Sequence, residues 1–302
     1  MLFVLLAALV CFLLTFYSPK RKILGPDEYE IPPGKAYEAY REELIGWAKQ
    51  VRAMPCERLE VKTPDGLILR GRYYEYQEGA ITEILFHGYR GSSERDMSGA
   101  VERCFSVGHN ALLVDQRASG TSDGHVITFG IRERYDAVLW AEAAVERFGK
   151  DVRLMLSGVS MGAATVMMAA TERLPENVVA ILADCGFSSP REIIRKVMKD
   201  LRAPIALLYP FVRLGAILYG GFDPESFSPM EAVKECKLPV IFYHGTGDRF
   251  VPAEMSERLY EACISDHKRL LLVPEAQHGL AFSVAKEGYL DALRAFAEES
   301  GF

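Results

Sequence analysis

The chain has 302 residues, 49% of them apolar, and a formal net charge of −6. This is enough apolar length for one large core, and wide parallel α/β folds commonly reach this size as a single domain. A negative balance with no basic run beyond Lys20-Arg21-Lys22 provides no electrostatic footprint for nucleic acid.

Residues 2–17 are apolar apart from Thr15, a run at the short end of the roughly 17 to 25 residues that cross hydrocarbon as a helix. A signal peptide would carry a basic leading region and a small-residue cleavage site. Only the terminal amine precedes this run, and Phe16-Tyr17-Ser18-Pro19 lacks the A-x-A pattern. Residues 1–19 are therefore expected to form an uncleaved membrane anchor, with an exported, cleaved form as the alternative. Lys20-Arg21-Lys22 after the run assigns the remainder to the cytoplasm by the positive-inside rule.

Residues 20–57 read as a spacer with a leading helix over 35–53, where Tyr37, Tyr40, Leu44, Ile45 and Trp47 recur near helical spacing. Two strand-like runs follow at 59–62 and 67–74, joined by the hairpin chemistry of Thr63-Pro64-Asp65-Gly66. From residue 81 short apolar runs alternate with helical stretches: strands near 84–86, 111–114, 152–156, 178–182, 240–243 and 270–273, helices near 94–107, 131–148 and 283–298. Such alternation signals βαβ units around a buried parallel sheet. Residues 189–237 interrupt it with a stretch too apolar for a linker, read as a helical cap inserted in a hydrolase-like domain over 58–302.

Chemistry is concentrated in three places. Gly158-Val159-Ser160-Met161-Gly162 follows a strand and opens a small-residue helix, the context in which a G-x-S-x-G turn projects a serine hydroxyl above a sheet. A serine hydroxyl needs an imidazole to take its proton and a carboxylate to hold that imidazole. Asp248 follows the strand at 240–243 through His244-Gly245-Thr246-Gly247, and His278 follows the strand at 270–273 through Pro274-Glu275-Ala276-Gln277. Singly, these residues could be a helix cap, a turn residue and a loop histidine; their joint order, each just past a strand, points to a catalytic set. Asp184 and Glu275 compete for the acid role. The amides of Met161 and Tyr89, the latter within His87-Gly88-Tyr89-Arg90-Gly91, are the candidate oxyanion donors.

The remaining polar residues read as structural. His87 and His244 support loops, His109, His125 and His267 are surface or turn residues, and Arg117 braces a glycine-rich turn or meets an anionic substrate. The six cysteines (Cys11, Cys56, Cys104, Cys185, Cys236 and Cys263) are scattered, without CxxC pairs, and read as free, mostly buried thiols; no metal or cofactor is expected.

Phe86-His87-Gly88, the segment Asp115-Gln116-Arg117-Ala118-Ser119-Gly120-Thr121-Ser122-Asp123-Gly124, the Ser160 turn, Gly245-Thr246-Gly247-Asp248 with Val251-Pro252, and Gln277-His278-Gly279 together resemble the α/β-hydrolase superfamily over residues 58–298. Within it the chain resembles bacterial membrane-associated hydrolases of the serine aminopeptidase-like or Bem46-like type. Ala118 and Ser119 stand where such proteins often have glycine. The resemblance implies an α/β-hydrolase fold, esterase-like acyl hydrolysis and a cap that selects substrate. Serine at 160 disfavours the dehalogenase and epoxide hydrolase branches, which use aspartate, and the dienelactone hydrolases, which use cysteine. Partners are then a small ester or peptide and a membrane. A peptidase or acyltransferase would use the same residues, and a binding module would have to lose one of them; oligomeric state is not legible.

Overall fold

The computed structural model describes residues 1–19 and 24–302. Eight strands form one sheet: β1 (Glu57–Lys62), β2 (Ile68–Tyr74), β3 (Thr82–Phe86), β4 (Asn110–Asp115), β5 (Leu154–Val159), β6 (Val178–Asp184), β7 (Val240–Gly245) and β8 (Lys268–Val273). Their spatial order is β1-β2-β4-β3-β5-β6-β7-β8. β1 and β2 pair antiparallel, β2 pairs antiparallel with β4, and every later pairing is parallel. Burial explains the sequence pattern. β3, β4 and β7 are buried at every position, as strands sandwiched between two helical layers must be. The edge strand β1 alternates exposed and covered residues.

The helices are α1 (Leu2–Thr15), α2 (Lys35–Glu38), α3 (Arg41–Ala53), α4 (Ser93–Ser106), α5 (Glu133–Phe148), α6 (Met161–Ala169), α7 (Pro190–Asp200), α8 (Ile205–Gly215), α9 (Pro229–Ala232), α10 (Ala253–Ala262), α11 (Ala281–Val284) and α12 (Lys286–Ser300), with a π-helical turn at Ala216–Gly220 extending α8. Successive strand residues point to opposite faces. Ile84 and Phe86 therefore pack with Trp140 of α5, Val166 of α6 and Leu259 of α10, whereas Leu85 joins Met97 and Val101 of α4 and Val51 of α3. Met155, Ile241 and Tyr243 meet Tyr289, Leu293 and Phe296 of α12. This is an α/β-hydrolase fold. Between β6 and β7 the chain leaves the sheet for α7, α8, the π turn and α9, in the stretch where the sequence places a cap. The leading helix is broken: Ala39 and Tyr40 separate α2 from α3.

The helix in the stretch expected to be a membrane-spanning anchor, residues 1–19, is shorter than that expectation requires. α1 has 14 residues, about 21 Å at 1.5 Å per residue, against ~30 Å of hydrocarbon. Among the described residues, no helix is long and apolar enough to cross a membrane. Instead α1 turns Ala8, Phe12 and then Phe16 inward, where Phe12 and Phe16 join Tyr209 and Val212 of α8 and Phe129 and Phe222 in one cluster. The approach is close: a Cβ on Gly215 would lie 2.3 Å from the Ala8 carbonyl oxygen. Lys20-Arg21-Lys22, on which the expected orientation rests, lie outside the described residues.

A correction concerns His109, which is buried rather than superficial. Its Nδ1 lies 2.8 Å from Oε1 of Glu83, a wholly buried carboxylate on β3 that also receives both terminal nitrogens of Arg103 (3.1 and 2.6 Å) and the Ser157 hydroxyl (2.6 Å). Burial alone would raise the Glu83 pKa, but the Arg103 charge and the His109 hydrogen bond outweigh it and hold the carboxyl well below its ordinary range. Because its folded-state pKa is depressed, its contribution to stability is full above the unfolded value of about 4.3 and is lost as pH falls through the folded one. Glu83→Gln should cost about 3–5 kcal/mol at neutral pH by leaving Arg103 buried without its counter-charge. Denaturant unfolding would measure this, and the gap between the two proteins should narrow as the pH drops below about 4.

Candidate active site

The chemistry sits at the carboxyl ends of the parallel strands, where β5 turns directly into α6. Ser160 occupies that turn at φ 57° and ψ −114°, a strained conformation costing on the order of 1–3 kcal/mol for a residue with a side chain. Two glycines let the turn close. A Cβ on Gly158 would fall 2.2 Å from the Gly162 carbonyl carbon, and one on Gly162 would fall 1.9 Å from the Phe86 carbonyl oxygen. The turn is thereby pressed against the end of β3, and Ser160 N–H donates to the Asp184 carbonyl of β6 at 2.8 Å.

The structure brings Ser160, Asp248 and His278 together. His278 Nδ1 lies 2.6 Å from Asp248 Oδ2, and its Nε2 lies 2.9 Å from Ser160 Oγ. An ionised carboxylate only accepts, so Nδ1 carries the proton and Nε2 is left to accept from the serine hydroxyl. The other Asp248 oxygen takes the amides of Phe250 and Val251 at 2.8 and 2.9 Å. Burial would raise the Asp248 pKa; hydrogen bonds from His244 and His278, the His278 charge and the Val251 amide outweigh it and hold the group well below the usual carboxylate range. Asp248 is thus an anion whenever His278 needs one.

Further side chains fix this arrangement. His244, wholly buried, places Nε2 3.2 Å from Asp248 Oδ2 and 2.9 Å from the Val251 carbonyl, both acceptors, while its Nδ1 lies 2.6 Å from the Ser256 hydroxyl. Nε2 must carry the proton, giving Asp248 a second imidazole donor. The Tyr37 hydroxyl of α2 donates to the His278 carbonyl at 2.8 Å. Burial, followed by the nearby Cys185, Asp96 and Asp248, pushes the Tyr37 pKa up, so it remains a donor. The Phe250 ring meets the imidazole edge-on at 5.0 Å.

After β3, the Gly88 amide donates to Asp96 Oδ2 at 3.2 Å, and a Cβ on Gly88 would lie 3.6 Å from that of Ser160. The loop carrying Tyr89 therefore runs alongside the serine turn, and Met161 begins α6 immediately after Ser160. Asp184, the competing acid, accepts from the Tyr289 hydroxyl at 3.0 Å and is pushed up by burial. Glu275 is exposed, its amide donating to Thr246 Oγ1. Arg117 is held by Asp136 (2.6 Å twice) and Asp65 (3.0 Å), as a brace of its turn. One Cys185, one Asp248 and one His278 ligand atom lie within 4.8 Å of one another. The Asp248 and His278 atoms serve each other, however, and burial pushes the Cys185 thiol well above its ordinary value, so this trio is a poor metal nest.

The sequence of residues 129–300, more than half the chain, matches the prolyl oligopeptidase family. The chain belongs to that family. Family and fold together make it a hydrolase, and protein bem46 of Schizosaccharomyces pombe is 23% identical over 82% of this chain and 78% of its own length. Protein YqkD of Bacillus subtilis is 24% identical over 64% of this chain; that match covers 63% of YqkD, under two-thirds of its length. The esterase Pf2001 of Pyrococcus furiosus superposes with a TM-score of 0.70 at 21% identity, over 94% of this chain and 98% of its own.

Two members of the site described above escape a reading of the sequence. His244 precedes a glycine at a strand end, which identifies a loop support without naming Asp248 as its partner. Tyr37 lies 241 positions before His278, and its place in a helical apolar pattern reads as packing. Tyr37→Phe removes one hydrogen bond, about 1 kcal/mol. It should lower kcat roughly fivefold with KM unchanged, as steady-state kinetics on a small ester would show.

Proposed function

We propose that this hydrolase cleaves a carboxylic ester through an acyl-enzyme intermediate, with Ser160 as nucleophile, His278 as general base and acid, and Asp248 as the carboxylate that orients it. The observation that carries the reading is the unbroken hydrogen-bonded line from Asp248 through His278 to Ser160 at a strained turn. Ser160 Oγ attacks the ester carbonyl as His278 Nε2 takes its proton, and Asp248 stabilises the imidazolium. The amides of Tyr89 and Met161 receive the oxyanion, the latter at the positive end of α6. Collapse expels the alcohol, which takes the proton from His278. A water deprotonated by His278 then releases the acid and restores Ser160.

An apolar acyl group is favoured by the surroundings of the nucleophile, since Met161, next to Ser160, shares one hydrophobic cluster with Phe129, Phe187, Val251 and the helices between β6 and β7. The family match favours a second reading, in which the scissile bond is a peptide bond and the same residues act. Fluorophosphonate labelling of the wild-type protein and of Ser160→Ala, with p-nitrophenyl esters of increasing chain length and p-nitroanilide peptides assayed in parallel, tests both. Labelling should vanish in Ser160→Ala, kcat should fall by about 10⁴ or more, and Asp248→Asn should lose about 10⁴ in kcat with the fold intact. Equal labelling of wild type and Ser160→Ala would overturn the assignment; anilide turnover exceeding ester turnover would select the peptidase.

A further inference from the structure

Residues 88–91 form a tight turn, closed by the Gly91 amide donating to the Gly88 carbonyl at 3.1 Å. The Gly88 amide is taken by Asp96 Oδ2, so the amides of Tyr89 and Arg90 are the two left without an acceptor among the described residues. Gly91 is required by the closeness of that carboxylate, since a Cβ there would fall 1.9 Å from Asp96 Oδ2. Arg90, the third residue of the turn, has φ 50°, a left-handed conformation that glycine adopts without steric cost and a side chain disfavours. Glycines thus stand at 88 and 91, yet the left-handed position between them holds arginine. A strained residue persists where its surroundings over-determine it.

Those surroundings are the end of α1. Arg90 Nη2 donates to the carbonyls of Leu14 (3.0 Å) and Tyr17 (2.9 Å), and the Tyr89 hydroxyl donates to that of Thr15 (2.6 Å). The last carbonyls of a helix have no partner within it and carry partial negative charge, so a guanidinium and a phenol meet matched acceptors there. Arg90 Nε is buried with no partner among the described residues. Every hydrogen bond that this side chain makes among them therefore goes to the end of α1 or just beyond it.

α1 is a firm anchor for such a clamp. Phe16 packs edge-on against Phe222 (5.2 Å) and Phe129 (5.8 Å). Ile127 N–H donates to the Phe16 carbonyl and Ser18 N–H to the His125 carbonyl, both at 2.8 Å. The Tyr89 ring lies on Phe129 with centroids 5.0 Å apart, which joins the turn, the end of α1 and residues 125–129 in one packed unit. On its other side the turn is held by Asp96, itself gripped by Arg95 at 2.6 Å. Donors stabilise an oxyanion fully only if they are in place before the charge develops. Met161 N–H is fixed by α6, whereas Tyr89 N–H is only as fixed as its turn.

We infer that Arg90 is a positioning residue: its guanidinium, clamped together with the Tyr89 hydroxyl to the carbonyl end of α1, holds the Tyr89 amide where the oxyanion forms. The inference rests on the esterase reading above. The test uses the purified full chain, Arg90→Gly, which removes the guanidinium and relieves the left-handed strain, and Tyr89→Phe, which deletes one hydroxyl and keeps the amide. Active sites are counted by complete fluorophosphonate labelling. On a p-nitrophenyl ester, kcat per labelled site should fall about tenfold for Arg90→Gly and a few-fold for Tyr89→Phe with KM unchanged, a fraction of the roughly 10²–10³ lost when a donor is removed outright. The Ki of an aryl trifluoromethyl ketone, which Ser160 converts to a tetrahedral oxyanion, should rise by the same factor, and that of the corresponding alcohol should not move. A merely structural role would lower the thermal midpoint and the number of labelled sites while leaving the rate per site and the ratio of the two Ki values intact, and that result would overturn the inference. So would unchanged kcat in both variants, or a loss confined to KM. If Arg90→Gly does not fold, Tyr89→Phe carries the same comparison alone. The esterase reading fails by a separate sign, ester turnover that survives Ser160→Ala, which would remove the clamp's role as well; a failed clamp leaves turnover dependent on Ser160 and indifferent to Arg90.

Discussion

The rest of the molecule depends on a backbone collision that two glycines avoid. β5 must reverse into α6 within one residue, and it can do so only because Gly158 and Gly162 allow the turn to press against its own helix and against the Phe86 carbonyl of β3. The parallel sheet makes that contact obligatory, since β3 and β5 are hydrogen-bonded neighbours in register. Ser160 is the residue left at the apex. Its strained dihedrals are sustained by the Asp184 carbonyl from the next strand, so the sheet's interstrand spacing sets where the hydroxyl stands.

Around that fixed point, electrostatics rather than packing decides the chemistry. The sheet delivers Asp248 and His278 on loops after β7 and β8, which are paired parallel strands, and buries the carboxylate. Burial is tolerable because two imidazoles and two amides face it, the condition on which a buried charge persists. A similar solution recurs at the opposite ends of the strands, where Glu83 is surrounded by Arg103, His109 and Ser157. One buried anion supports the candidate site and the other locks β3 to α4.

The N-terminal segment shows how a single composition admits two outcomes. A run of apolar residues reads as membrane-crossing because hydropathy measures transfer from water and ignores the destination. The chain supplies another destination in Phe129, Tyr209, Val212 and Phe222, against which Phe12 and Phe16 pack. The faces left over stay exposed, and hydrogen bonds from Tyr89 and Arg90 join the end of α1 to the loop beside Ser160.

By itself the sequence determined the parallel α/β architecture, since buried strands alternating with helices leave a periodicity that local residues record. It also determined the order and loop positions of Ser160, Asp248 and His278, because the glycines and turn residues that place them are adjacent in the chain. Tertiary structure alone buried His109 against Glu83 and brought His244 and Tyr37 to the site. These outcomes depend on distances between segments far apart in sequence, and no local pattern records which side chain will face another once the sheet has formed.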